Sequence, residues 1–172
     1  MRSFVSTRCV RGIALIAGFV LSLTLGVTAP ASADLLPGGS TGPEVAALFQ
    51  SLGYPATMAT DKDGDPLIHT KAANTNVDIY FYNCTAGAGG ALRCTSIQFA
   101  AGFSIKTVSI TTINAWDRDK RYGRAYISAE GYPFMEVDID VSSGASVAQI
   151  RAYLTHLESL LPDFKAAIGY TG

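Results

Sequence analysis

The sequence predicts an α+β domain, an antiparallel sheet of about five to six strands with helices against one face. Three observations lead there. Stretches of alternating apolar and polar residues come in pairs joined by short turns. Segments with helical spacing stand before, between and after them, giving the order α-β-β-β-β-α-β-β-α. Two of the strand pairs also have a single register that sorts oily from polar side chains on both strands at once.

The first 33 residues carry Arg2, Arg8 and Arg11, an apolar run over about 13–27, and then Ala29-Pro30-Ala31-Ser32-Ala33. This is the three-part layout of a secretory signal peptide, with cleavage expected near Ala33. The competing reading is an uncleaved anchor, but the run is short for a span of about 20 residues. Cys9 precedes the run and so is not the lipidated cysteine of a processed lipoprotein, and no Arg-Arg pair marks the twin-arginine route. The expectation is a periplasmic or secreted protein with no stable membrane anchor after cleavage. Without Arg2, Arg8 and Arg11, ten basic residues face fourteen acidic ones. Nucleic acid is therefore a poor partner, because its binding rests on neutralising phosphates.

Residues 34–40 are polar and glycine-rich, and disorder is expected there. One domain is expected over 41–172. Its first helix opens on a capping box, Thr41 with Glu44, with Pro43 in the first turn. Val45, Leu48, Phe49 and Leu52 follow at helical spacing, and Gly53 is the stop signal. Residues 56–60 and 66–71 read as strands joined by Asp61-Lys62-Asp63-Gly64-Asp65, in which Asp-Gly is a hairpin turn. A calcium loop needs glycine sixth and a bidentate acid twelfth; here glycine is fourth and Ala72 is twelfth.

Only Cys84 and Cys94 remain after the leader. Val77, Ile79 and Phe81 alternate with Asp78, Tyr80 and Tyr82; Ile97 and Phe99 alternate with Ser96, Gln98 and Ala100. Setting Cys84 opposite Cys94 puts Phe81 opposite Ile97, Ile79 opposite Phe99, Tyr82 opposite Ser96 and Tyr80 opposite Gln98. The register that joins the sulfurs also segregates the faces, so a structural disulfide is expected. A redox pair lacks the C-x-x-C spacing, and zinc would require two more ligands, with only His69 and His156 to offer.

Residues 103–120 are ambiguous, since β-branched residues favour strand while Ile110, Ile113 and Trp116 keep helical spacing behind a capping Ser109. Residues 122–141 alternate as a hairpin around Ala129-Glu130-Gly131, a three-residue loop with glycine in the left-handed position. That loop sets Tyr126 opposite Phe134, Arg124 opposite Glu136, Ala125 opposite Met135 and Gly123 opposite Val137. A last helix is expected over 146–161, with Val147, Ile150, Leu154, Leu157 and Leu161 inward and a break at Pro162, after which 163–168 can form one more turn.

Several of these stretches carry a family resemblance. N-A-W at 114–116, R-Y-G-R-A-Y at 121–126 and F-M-E-V-D-I-D-V at 134–141 resemble the signature of the YbjN-domain family. L-G-Y-P at 52–55, D-K-D-G-D-P at 61–66 and C-T-S-I-Q-F-A-A-G-F at 94–103 are also similar to its members. The resemblance implies a fold like type III secretion chaperones, and favours helix for the ambiguous stretch. It brings no catalytic residues.

No enzyme constellation is legible. His69 and His156 stand apart in sequence, the serines and threonines lack a nucleophile-elbow pattern, and no phosphate-binding glycine loop occurs. No catalytic, cofactor or metal residue is assigned. Glu136, Asp138 and Asp140 share a strand face that could hold a cation, but a solvated face with Arg124 paired to Glu136 is the preferred reading. On that face the two hairpin registers gather Tyr80, Tyr82, Tyr122, Arg124, Tyr126, Phe134 and Glu136, a composition typical of contact surfaces. Strand propensity alone also favours exposed tyrosine. The expected function is an exported, non-enzymatic protein-binding or chaperone-like module that contacts a polypeptide partner or a second copy of itself. The alternative is a small hydrolase or ligand-binding enzyme using His69 or the acidic strand face, and a third possibility is a role in envelope integrity without a single partner.

Overall fold

A computed structural model describes residues 34–35 and 37–172. The expected signal peptide lies outside the described residues. The chain forms α1 (Gly42–Ser51), β1 (Thr57–Thr60), β2 (Pro66–Ala72), β3 (Thr75–Ala86), β4 (Leu92–Gly102), α2 (Ile110–Asp119), β5 (Arg124–Ile127), β6 (Pro133–Asp140) and α3 (Val147–Ile168). The six strands form one antiparallel sheet, as the sequence predicts, and their order across it is β1-β2-β3-β4-β6-β5.

Each boundary has a local cause. Thr41 and Glu44 exchange the two capping-box bonds, at 2.8 and 3.3 Å. In the β1–β2 turn, Asp61 Oδ1 accepts from the N–H groups of Asp63 and Asp65, both at 2.9 Å, so this aspartate organises a turn. The Asp63-Gly64 hairpin reading holds. Ser109 caps α2 through the Thr112 N–H at 3.1 Å. Ile113 and Trp116 are buried as the spacing requires, whereas Ile110 is left exposed.

Three expectations need correction. First, α3 does not break at Pro162 but runs to Ile168, ending at Gly169 with φ 70°. Proline in a helix interior costs about 3 kcal/mol. Here Phe164 and Ile168 beyond it are buried, and the Phe164 ring packs on Trp116 and Phe103 at 4.9 and 5.5 Å, which offsets that cost.

Second, the described part of 34–40 is not disordered. Leu35 and Ala145 exchange backbone hydrogen bonds at 2.9 and 3.1 Å, Gly38 donates to Ser142, and Ser40 exchanges two 2.9 Å bonds with Cys94. Asp34 Oδ1 accepts from the Val147 N–H at the start of α3, at 2.7 Å. The segment continues the ladder along β4 where β6 has ended, and a Cβ at Gly39 would lie 2.6 Å from the Cys94 carbonyl oxygen. The composition hid this because the bonds are mostly made by backbone.

Third, alternation fails within the disulfide hairpin. The register is as expected, with Cys84 opposite Cys94 and their sulfurs bonded. Yet Asn83 sits at φ 54°, and the strand burial pattern changes phase there on both strands. Strict alternation would put the cysteines beside Tyr82; instead Cys94 is fully buried in the core and Cys84 packs against it. Asparagine tolerates the left-handed region better than most residues, which permits the switch.

The core lies on the helix side of the sheet. Val77, Ile79, Phe81, Ile97, Phe99, Met135, Val137 and Ile139 meet Val45, Phe49, Trp116, Leu154 and Leu161 there. The other sheet face carries no helix of the described residues, and that face presents the candidate site.

A candidate interaction face on the open side of the sheet

Period-two geometry delivers the site residues to one face. Asp78, Tyr80 and Tyr82 come from β3, Gln98, Ala100 and Gly102 from β4, Phe134, Glu136 and Asp138 from β6, and Arg124 and Tyr126 from β5. The ladder sets Tyr80 opposite Gln98 and Gln98 opposite Asp138, with Arg124 opposite Glu136 and Tyr126 opposite Phe134.

The side chains form one connected network. The Tyr82 hydroxyl donates to Gln98 Oε1 at 3.1 Å, and Gln98 Nε2 donates to Asp138 Oδ1 at 2.7 Å. Arg124 then bridges Asp138, at 3.4 Å, to Glu136. Glu136 also accepts from the Tyr126 hydroxyl at 2.8 Å, and the Tyr126 ring stacks on Phe134 with centroids 5.4 Å apart and planes 12° from parallel. Glu136 is only 5% exposed, so its charge is held by Arg124 and Tyr126 in place of water. Tyr126 is held neutral: burial first, and then its bond to Glu136, push its hydroxyl up to about 12. Burial and nearby carboxylates also raise Tyr80 and Tyr82, so the phenols on this face stay neutral, with Tyr82 and Tyr126 as hydrogen-bond donors.

Beside this network lies a cleft of about 350 Å³. Tyr80 and Phe134 line it, with Ala100 and Gly102 among the β4 residues between them and Asp78 and Tyr132 also present. Gly102 lets the Phe134 ring lie close over β4, since a Cβ there would come within 2.6 Å of the ring and push it aside.

Tyr122 does not belong to this face. It precedes β5, takes φ 68°, and stacks flat on His156 of α3 at 4.1 Å. Counting back by twos from Tyr126 assumes extended backbone, and the left-handed residue turns the chain toward the helix layer before the strand begins. Gly123 is likewise outside the β5–β6 ladder, and a Cβ there would meet Leu160 of α3. The other expected members, Tyr80, Tyr82, Arg124, Tyr126, Phe134 and Glu136, are brought together. Sequence reasoning missed Gln98 and Gly102 as members, although Gln98 opposite Tyr80 follows from the disulfide-hairpin register; Gly102 beside Phe134 depends on the β4–β6 pairing, which neither hairpin register gives.

His69 is hydrogen-bonded through Nδ1 to Asp78 Oδ1 at 2.7 Å, directly across the β2–β3 ladder. The two side chains are 55% and 40% exposed and border an open cleft of about 450 Å³. Among the described residues neither ring nitrogen of His69 is hydrogen-bonded to a serine, threonine or cysteine, and no group of three or more His, Cys, Asp or Glu could hold a metal ion. No helix of the described residues is long and apolar enough to cross a membrane.

No curated protein matches the chain. A family model described as "Putative bacterial sensory transduction regulator" matches residues 43–169, from the first turn of α1 to the glycine that closes α3. Helices, sheet and candidate face all fall within that match, and the chain belongs to the YbjN family.

Proposed function

We propose that the protein is an exported, non-enzymatic binding module that holds a polypeptide partner against the open sheet face. The single observation that carries this reading is the Tyr82–Gln98–Asp138–Arg124–Glu136–Tyr126 network. It fixes large amphipathic side chains on a surface that no helix covers, so little side-chain entropy remains to be lost when a partner docks. Export rests on the charge and hydropathy layout of residues 1–33. A regulator-type family description suits a module that works by contact.

The test places a photo-crosslinking residue at Ser96, on the face, and at Ser159, on the exposed side of α3, in the native host. A discrete adduct from Ser96 alone, lost in the Tyr82→Ser/Tyr126→Ser double variant, supports the reading. Equal adducts from both sites, or adducts unchanged in the double variant, sink it.

A second reading, hydrolysis or ligand turnover, rests on the His69–Asp78 pair. It requires a turnover that His69→Ala abolishes while the fold stays intact. Turnover of a chromogenic ester panel that His69→Ala leaves unchanged would dismiss it.

A further inference from the structure

We infer that the cleft between Tyr80 and Phe134 receives the cationic head of a lysine or arginine side chain, so that the partner segment is basic. This deepens the proposed function and rests on it.

The argument begins with charge. Asp78 lines the cleft, and Glu136 and Asp138 lie on the same strand face beside it. Burial raises the Tyr80 hydroxyl first, and the carboxylates of Asp78, Asp61 and Glu136 raise it further, so their field is felt at the aromatic wall itself. Against these acids stand Arg124, already committed to Glu136 and Asp138, Lys106, and Lys71, which lies across the β2–β3 ladder from Asn76 at the edge of the cleft. His69, bonded to Asp78, adds no positive charge unless protonated.

Shape agrees with charge. Aromatic faces attract cations through their quadrupole, and here two rings line a floor kept low by Gly102 and Ala100. The chain already offers an example, since the Lys106 ammonium sits 4.5 Å from the centroid of the Tyr132 ring, another residue of the same cleft. A second copy docking face to face would instead bring two acid-rich faces together, with the exposed carboxylates of Asp78 and Asp138 on each. Like charges brought together in this way are unfavourable, which argues against self-association through this surface.

The experiment is an amide and aromatic NMR titration of the purified protein with two capped pentapeptides. One is Gly-Ser-Lys-Ser-Gly and the other carries uncharged norleucine in place of lysine. The lysine peptide is expected to shift Tyr80, Ala100, Gly102 and Phe134 saturably, and the norleucine peptide is not. Asp78→Asn and Phe134→Leu should each weaken binding by about threefold to tenfold. Lys106→Gln should strengthen it, because the competing ammonium is gone. Asp78→Asn alters an exposed group and guards against a folding artefact from Phe134→Leu. Equal shifts from both peptides, shifts centred on the Asp61–Asp65 turn, or affinity indifferent to Asp78→Asn would overturn the inference. If the crosslink at Ser96 survives these outcomes, the docking face stands and only its basic partner is refuted. If the lysine peptide binds as expected while the crosslink is indifferent to Tyr82→Ser/Tyr126→Ser, the cleft stands and the docking reading falls.

Discussion

Reducing the Cys84–Cys94 bond should cost the domain about 2.7 kcal/mol. The two cysteines are ten residues apart in sequence. The chain-entropy relation for a loop of that size gives roughly 9 cal/mol/K, or about 2.7 kcal/mol at 25 °C. For a domain of this size each kcal/mol moves the melting temperature by about 3 to 4 °C, so a fall of about 10 °C is expected. The assay is urea and thermal unfolding of the oxidised protein, the dithiothreitol-reduced protein and the Cys84→Ala/Cys94→Ala variant. Reduction keeps the sulfur atoms in place, so it isolates the crosslink. The double variant also empties buried volume at Cys94, which is fully buried, and should lose about 1 kcal/mol more. Oxidised and reduced protein that unfold within about 0.5 kcal/mol of one another would refute the reasoning. So would peptide mapping without reductant that recovers both thiols unbonded.

Three further outcomes follow from the geometry. Pro162→Ala should stabilise the protein by about 1–3 kcal/mol, because it restores a helix N–H at an exposed position of α3; unchanged or lower stability by denaturant unfolding would mean that the proline shapes the helix end. Tyr126 titrates higher folded than unfolded, so its stabilisation is present below about pH 10 and is lost as pH rises toward about 12. Ultraviolet ionisation difference spectra should show Tyr126 as the tyrosine shifted furthest among several raised ones, and Glu136→Gln should move it back toward pH 10. Gly102→Ala should move the Phe134 ring off the cleft while the protein stays folded, since the obstructing atoms are the far end of one side chain; near-ultraviolet dichroism should change with far-ultraviolet dichroism preserved.

The parts of this fold that were legible in sequence are those where one face must be oily and the other wet. The pairing of Phe81 with Ile97 and of Ala125 with Met135 follows because a slip of one residue would bury Tyr82 or Glu136 without partners. Helix starts were legible where a side chain does the capping, as at Thr41 and Ser109. What escaped depends on single backbone angles or on distant packing. Asn83 and Tyr122 take left-handed conformations that reset the alternation, and neither is a glycine to announce it. The helix past Pro162 is held by Phe164 against Phe103 and Trp116, residues far away in sequence. The docking of 34–35 and 37–40 rests mostly on backbone bonds that composition cannot encode.

The same alternation would let a small domain carry the proposed contact surface without weakening its core. Along β3 as far as Tyr82, β4 from Ser96 and β6, every second side chain serves the helix layer, and the intervening ones point to the open face. On the proposed function, changes at Tyr80, Tyr82 or Asp138 should alter recognition at little cost in apolar burial, whereas Ile79 or Ile97 could not change without a cavity. Glu136 is the exception. It belongs to the open face by register but is buried like a core residue, and its charge is held by Arg124 and Tyr126 alone. On the proposed function, recognition and stability would meet at one carboxylate: a partner that drew Arg124 away would leave Glu136 buried without its cation.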